Sequence, residues 1–151
     1  MIKRTVLFLL LNFAALAIGG LFTGNGVSSG WYQNLNKAPW TPPGWVFGAA
    51  WTLIMILFAI YMAFLIKPEN KKRIILLFSI QWILNVAWNP IFFYSQAVTL
   101  GLICILSLTI LIAYLFFHFR KDLNIKSLLL APYLVWLIIA TSLNAYIFYF
   151  N

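Results

Sequence analysis

Three stripes of aromatic and amide residues recur at helical spacing inside otherwise apolar runs. Gln81, Asn85, Trp88 and Phe92 follow one another at intervals of four, three and four. Tyr133, Trp136, Ala140, Asn144 and Ile147 form a second stripe, and Phe47, Trp51, Met55, Phe58 and Met62 a third. Such intervals put each set on one face of a helix. Indole and phenol rings gain stacking as well as burial against a large flat molecule. Amides can orient its carbonyls or carboxylates. The chemistry these residue types support is recognition. An alternative stays open: Asn85 and Asn144 can satisfy each other, or carbonyls freed near Pro90.

Catalytic apparatus of the ordinary kinds is missing. No acid–base pair or activated nucleophile can be assembled inside the apolar runs, which contain no Asp, Glu, Lys or Arg. The same feature argues against an ion-coupled transporter or proton pump. Cys104 is the single cysteine, so neither an intramolecular disulfide nor a four-cysteine metal site is possible, and it reads as packing. His118, beside Arg120 at the end of a run, reads as an interfacial residue. No metal site and no required cofactor are expected.

The elements that must position the stripes are membrane helices. Of 151 residues, 64% are hydrophobic and only 8% charged, too few to cover a water-facing surface. Apolar runs fall at 5–23, 45–66, 74–94, 97–117 and 127–149, each long enough to cross roughly 30 Å of hydrocarbon as a helix. The first, behind Lys3 and Arg4, is read as a retained span rather than a cleaved signal. Residues 90–97 must turn tightly, which Pro90 and the Ser95–Gln96 pair permit. Pro132 bends or starts the fifth helix. The fold class is therefore an all-α integral membrane protein, a bundle of five transmembrane helices.

The net charge of +8 sorts by side. Lys3, Arg4, Lys67, Lys71, Lys72, Arg73, Arg120, Lys121 and Lys126 fall on one side of a five-span topology, and Lys37 alone on the other. By the positive-inside rule the N-terminus is cytoplasmic and the C-terminus outside, in a multi-pass protein of the plasma membrane. The charge is thus matched to membrane lipid, not to nucleic acid.

The outer link at 24–44 ends in APWTPPGW, where Pro39, Pro42 and Pro43 stiffen the chain, while its start, GNGVSSG, reads as flexible. The stretch 31–51, WYQNLNKAPWTPPGWVFGAAW, carries four of the seven tryptophans. Trp45 and Trp31 fit an aromatic belt at headgroup level. Trp51 lies deeper. A stiff link above aromatic stripes has the form of a lid over a pocket in the outer half of the bundle. Gly20 with Gly24, and Ala97 with Gly101, are small-residue pairs that suit close helix contact, including a homodimer.

The chain resembles the translocator protein family, also called tryptophan-rich sensory proteins or peripheral-type benzodiazepine receptors, and looks like a bacterial member. The resemblance spans the whole chain. It rests on WYQNLNKAPWTPPGWVFGAAW at 31–51, QWILNVAWNPIFF at 81–93 and APYLVWLIIATSLN at 131–144. It implies a five-helix bundle, commonly dimeric, that binds porphyrins such as protoporphyrin IX and other flat hydrophobic ligands. A role in tetrapyrrole regulation or stress response is implied as well. By motif, the ligand-binding residues would be Tyr32, Phe47, Trp51, Asn85, Trp88, Ile91, Trp136, Ala140 and Leu143, joined by Asn144 from the stripe. Leu100, Ile103 and Ser107 would line the site from the fourth span. Light-dependent porphyrin breakdown, with Trp51 and Trp136 as the reacting side chains, and transport of porphyrin or lipid are the alternatives. Two departures stand out. The chain ends TSLNAYIFYFN, without the basic residue of the family's cholesterol-associated segment. Ala38 occupies a position the family usually gives to proline, with Pro39 beside it.

Overall fold

The computed structural model describes all residues from Met1 to Asn151. It is all-α. The long helices are α1 (Ile2–Val27), α3 (Gly44–Leu65), α4 (Lys71–Asn89), α5 (Val98–His118) and α7 (Ala131–Phe150); the short ones are α2 (Gly30–Asn34) and α6 (Arg120–Leu123). Five helical segments are long and apolar enough to cross a membrane: Ile2–Val27, Gly44–Leu65, Lys71–Tyr94, Val98–His118 and Arg120–Phe150. At about 1.5 Å per residue, the 22 residues of α3 reach roughly 33 Å.

The helices close into a ring. α1 packs between α3 and α4, α5 between α4 and α7, while α3 and α7 meet sparsely and complete the circuit. The interior is packed most tightly along α3, where Met55, Phe58, Ala59, Tyr61 and Met62 are wholly enclosed. Polar groups at depth are tied to neighbouring backbones. Asn12 Nδ2 donates to the Met55 carbonyl at 3.0 Å, and Tyr61 Oη donates to that of Leu115 at 2.8 Å. In hydrocarbon an amide must face inward and find a partner, so these bonds fix the rotation of α1 and α3.

Proline shapes two of the ends. Pro90 opens a turn of π-helix (Pro90–Tyr94) that continues α4, and the chain then reverses at Ser95 and Gln96, the latter at φ 52°. Before Pro132 a 3₁₀ stretch (Asn124–Leu130) leads into α7, with the proline in its first turn, where a missing N–H costs nothing.

The outer link differs from expectation at its start. GNGV is not a flexible segment but the last turn of α1, and the link proper begins at Ser28. The glycines there serve contact. A Cβ on Gly26 would lie 2.3 Å from Phe93 Cδ1, and one on Gly19 would lie 2.6 Å from Asn89 Nδ2. Gly20 and Gly24 face open space, leaving that pair free on the outside of α1. Gly101 is buried, and a Cβ there would press on Phe92 and Asn144 Oδ1, so it serves close contact within the chain and not between two copies.

Candidate functional site

The two ends of the bundle are distinct. One collects Arg4, Lys67, Lys71, Arg73, Arg120 and Lys126; the other carries the link, the turn after α4 and the C-terminus. The link is short helix, then turn, then proline-fixed extension. Ser29 caps α2 by accepting from the Tyr32 N–H at 3.2 Å. Thr41 closes the next turn with both its N–H and its hydroxyl on the Ala38 carbonyl, at 2.9 and 2.7 Å. Ala38 itself is buried, so its small side chain fits the packed face of the turn.

The link is fastened to α7. The Asn36 N–H donates to Asn151 Oδ1 (2.8 Å), Asn36 Nδ2 to the Phe150 carbonyl (3.1 Å) and Asn151 Nδ2 to the Asn36 carbonyl (3.2 Å). Nearer its end, Trp40 Nε1 donates to Ser142 Oγ at 3.1 Å and its ring meets Tyr146 edge-on at 5.5 Å. Toward α4 the link is held by rings. Trp31 and Tyr32 meet Phe92 at 5.5 and 6.5 Å, and Tyr32 meets Phe93 at 5.5 Å. Trp31 is thus a packing residue and not a belt residue, whereas Trp45, 75% exposed, sits as a belt residue would. Burial raises the Tyr32 phenol above its ordinary pKa, and Lys37 Nζ lies over its ring at 4.8 Å.

Beneath the link the three stripes converge. Phe47 of α3 meets Trp136 of α7 edge-on at 5.3 Å, and Trp51 meets Tyr133 at 5.9 Å, across the sparse α3–α7 seam. Trp88 stacks on Phe92 at 5.0 Å. Asn144 accepts from Trp88 Nε1 at 3.1 Å and donates to the Val98 carbonyl at 3.2 Å, tying α4, α5 and α7 together. Gln81 Nε2 donates to Tyr133 Oη at 2.7 Å. Asn144 therefore plays the structural part, though toward Val98 and not toward Asn85 or the carbonyls near Pro90. Leu143 is buried, and Ile91 and Ala140 half-buried, along the same faces.

Two polar groups near this seam are unpartnered. Trp136, only 7% exposed, has a buried Nε1 with no acceptor, and Gln81 Oε1 has no donor. Asn85, 8% exposed, uses its backbone carbonyl to accept from Asn89 Nδ2 at 3.2 Å. An unmet buried donor costs about 1–3 kcal/mol. A molecule that brings an acceptor to Trp136 recovers that cost.

The residues carried over from the fourth span are placed elsewhere. Leu100 (58% exposed) and Ile103 (55%) lie on the outer face of α5, and exposed Ser107 bonds only the Ile103 carbonyl of its own helix. Cys104, Ile105 and Leu108 face inward instead. α5 is apolar all round, so its sequence carries no stripe to mark the inner face. Asn12 and Asn89 are further inward polar residues that the stripes do not include. Asn89 Oδ1 accepts from Thr23 Oγ1 at 2.7 Å. The cost of an amide at depth was the signal that could have found Asn12. A separate cleft of about 590 Å³ opens at the link end, between Trp31, Leu35, Val98, Ile147 and Asn151. No three His, Cys, Asp or Glu side chains cluster as metal ligands would.

Five long apolar helices, an aromatic seam between α3 and α7 and a link hydrogen-bonded to α7 define a small, polytopic membrane protein. The chain belongs to the TspO/MBR family, whose model matches residues 7–150. It is 38% identical to the tryptophan-rich protein TspO of Archaeoglobus fulgidus, over 91% of this chain and 92% of that one. It is 31% identical to the tryptophan-rich sensory protein of Cereibacter sphaeroides, over 76% and 72% of the two chains. The human translocator protein is also 31% identical, over 83% and 79%. The chain is thus a homologue of the bacterial tryptophan-rich sensory proteins.

Proposed function

We propose that the protein is a membrane receptor for porphyrins, protoporphyrin IX among them, and for similar flat hydrophobic molecules, which enter between α3 and α7 beneath the link. The observation that carries this reading is the unpartnered Trp136 Nε1 at a seam walled by Phe47, Trp51 and Tyr133. A flat ligand parts the edge-on ring pairs, stacks on the indoles and offers a carboxylate or ring acceptor to Trp136, with the Asn85 amide as a second orienting group. Family membership supports the same ligand class. The receptor reading places the protein in the plasma membrane as a homodimer, with the basic end in the cytoplasm, and makes it a regulator of tetrapyrrole metabolism or stress response.

Titration of the purified protein with protoporphyrin IX tests the reading. Saturable quenching of tryptophan fluorescence at about one ligand per chain is expected. A Trp51→Ala, Trp136→Ala double variant that melts cooperatively and still binds with unchanged affinity overturns it.

Light-dependent breakdown of bound porphyrin is the second reading, favoured by two oxidisable indoles flanking one seam. The bound tetrapyrrole would supply the photochemistry, as a cofactor does, while the protein orients it. A product spectrum formed under light by the folded protein, and not by free porphyrin or heat-unfolded protein, supports turnover. Equal product in all three leaves binding alone.

A further inference from the structure

The basic end holds a second concavity, unconnected with the seam. It has a volume of about 860 Å³ and lies on the outside of the bundle between α1 and α4. Its walls are two helical stripes, Leu7, Phe8 and Leu11 from α1, and Ile75, Phe78, Trp82 and Ile83 from α4. Arg4, Lys67 and Lys71 stand at its mouth, and no carboxylate lines it.

The groove exists because the α1–α4 contact changes character along its length. In the link half, Gly19 lies against Asn89 and Gly26 against Phe93, so the helices come close. In the basic half the spacers are rings. Phe8 and Phe78 meet edge-on at 4.9 Å, and Trp82 Nε1 reaches the Leu11 carbonyl at 2.8 Å. Ring bulk holds the backbones apart there and forms a fixed floor. At the mouth, Arg4 donates to the Ile66 carbonyl at 2.8 Å, at the C-terminal, electronegative end of α3. That bond holds the guanidinium over the opening and leaves its other N–H groups free.

We propose that this groove is a binding site for one anionic phospholipid. Arg4, Lys67 and Lys71 take the phosphate, and an acyl chain lies between Leu7, Leu11, Ile75 and Ile83 over the Phe8–Phe78 floor. The dimensions agree. From Lys71 to Ile83 is about 18 Å of helix, roughly one leaflet of hydrocarbon. Charge selects the occupant: three cations with no acid in the lining fit a lipid phosphate, with Glu69 lying outside the groove in the same turn as Lys67. A second copy of the chain seated in parallel on this face would set the same cations against each other. The site is independent of the porphyrin reading, since it shares no residue with the seam.

Native mass spectrometry of the purified protein, equilibrated with equal amounts of phosphatidylglycerol and phosphatidylcholine of matched chains, tests the proposal. One phosphatidylglycerol retained per chain is expected. Replacing the three cations together (Arg4→Gln, Lys67→Gln, Lys71→Gln) lowers the preference for it at least tenfold, because each cation near an anionic headgroup contributes measurably. Ser79→Trp, which fills the groove and leaves the cations in place, lowers retention of both lipids. Equal retention of the two lipids by the wild type overturns the proposal. So does an unchanged preference in a triple variant that melts cooperatively, or displacement of the lipid by inorganic phosphate alone. Disulfide cross-linking of an Ile83→Cys variant across two chains in the presence of phosphatidylglycerol would assign the groove to a second copy and overturn it as well.

Discussion

At the scale of the residue, the buried amides and indoles divide into those that hold the bundle and those left with unmet hydrogen bonds. Asn144 uses both ends of its amide, on Trp88 and Val98. Asn144→Ala orphans the Trp88 N–H and should lower stability by about 1–3 kcal/mol, read as a fall in melting temperature in detergent. Trp136 behaves oppositely. Trp136→Phe keeps a ring against Phe47 but removes the unpartnered N–H, so stability should hold or rise slightly while porphyrin affinity falls roughly five- to tenfold, the worth of one hydrogen bond. The sequence made Trp51, Asn85, Trp88, Trp136 and Asn144 legible because indoles and amides at helical spacing contrast with the leucines around them. It could not pair them. Whether Asn144 meets Asn85 or Val98 depends on helix rotation, which no local pattern fixes. Leu100, Ile103 and Ser107 could not be assigned a face by pattern either, since every face of α5 is apolar.

At the scale of the element, small residues decide how close the helices come. Gly26→Ala must displace Phe93 and should destabilise by about 1–3 kcal/mol, whereas Gly20→Ala, with nothing near it, should stabilise α1 by up to about 1 kcal/mol. Melting curves of the two variants side by side check the contrast. The spans themselves were readable from hydropathy and charge because a membrane helix needs about 20 apolar residues and excludes charge. The end of α1 was not. Gly24 and Gly26 look like a flexible segment in the sequence, yet the missing Cβ of Gly26 is what lets Phe93 pack. The latch of the link was also invisible, since Asn36 and Asn151 lie 115 residues apart. Asn151→Ala removes two of its three hydrogen bonds. Stopped-flow fluorescence should show porphyrin association and dissociation both faster by severalfold, with a smaller change in affinity.

At the scale of the whole molecule, charge orients and the ring of helices admits. Nine of the ten cations belong to the end opposite the link, which predicts a sided insertion. On a Cys104→Ala background, Lys37→Cys should react with an impermeant thiol reagent added to intact cells, and Lys121→Cys only after permeabilisation. The reverse pattern would invert the topology. Within the ring, α3 and α7 themselves meet least, while the 3₁₀ stretch before α7 holds the basic end of α3, so the seam can part toward the link without parting that end. The α3–α7 seam is therefore the expected point of entry. Determination of the structure with protoporphyrin IX bound is the most direct test. The macrocycle should lie between α3 and α7, against Phe47, Trp51 and Trp136, with an acceptor within about 3 Å of Trp136 Nε1. A macrocycle found in the cleft beside Trp31 and Val98, or on the outer face of α5, with the Phe47–Trp136 pair undisturbed, would contradict it.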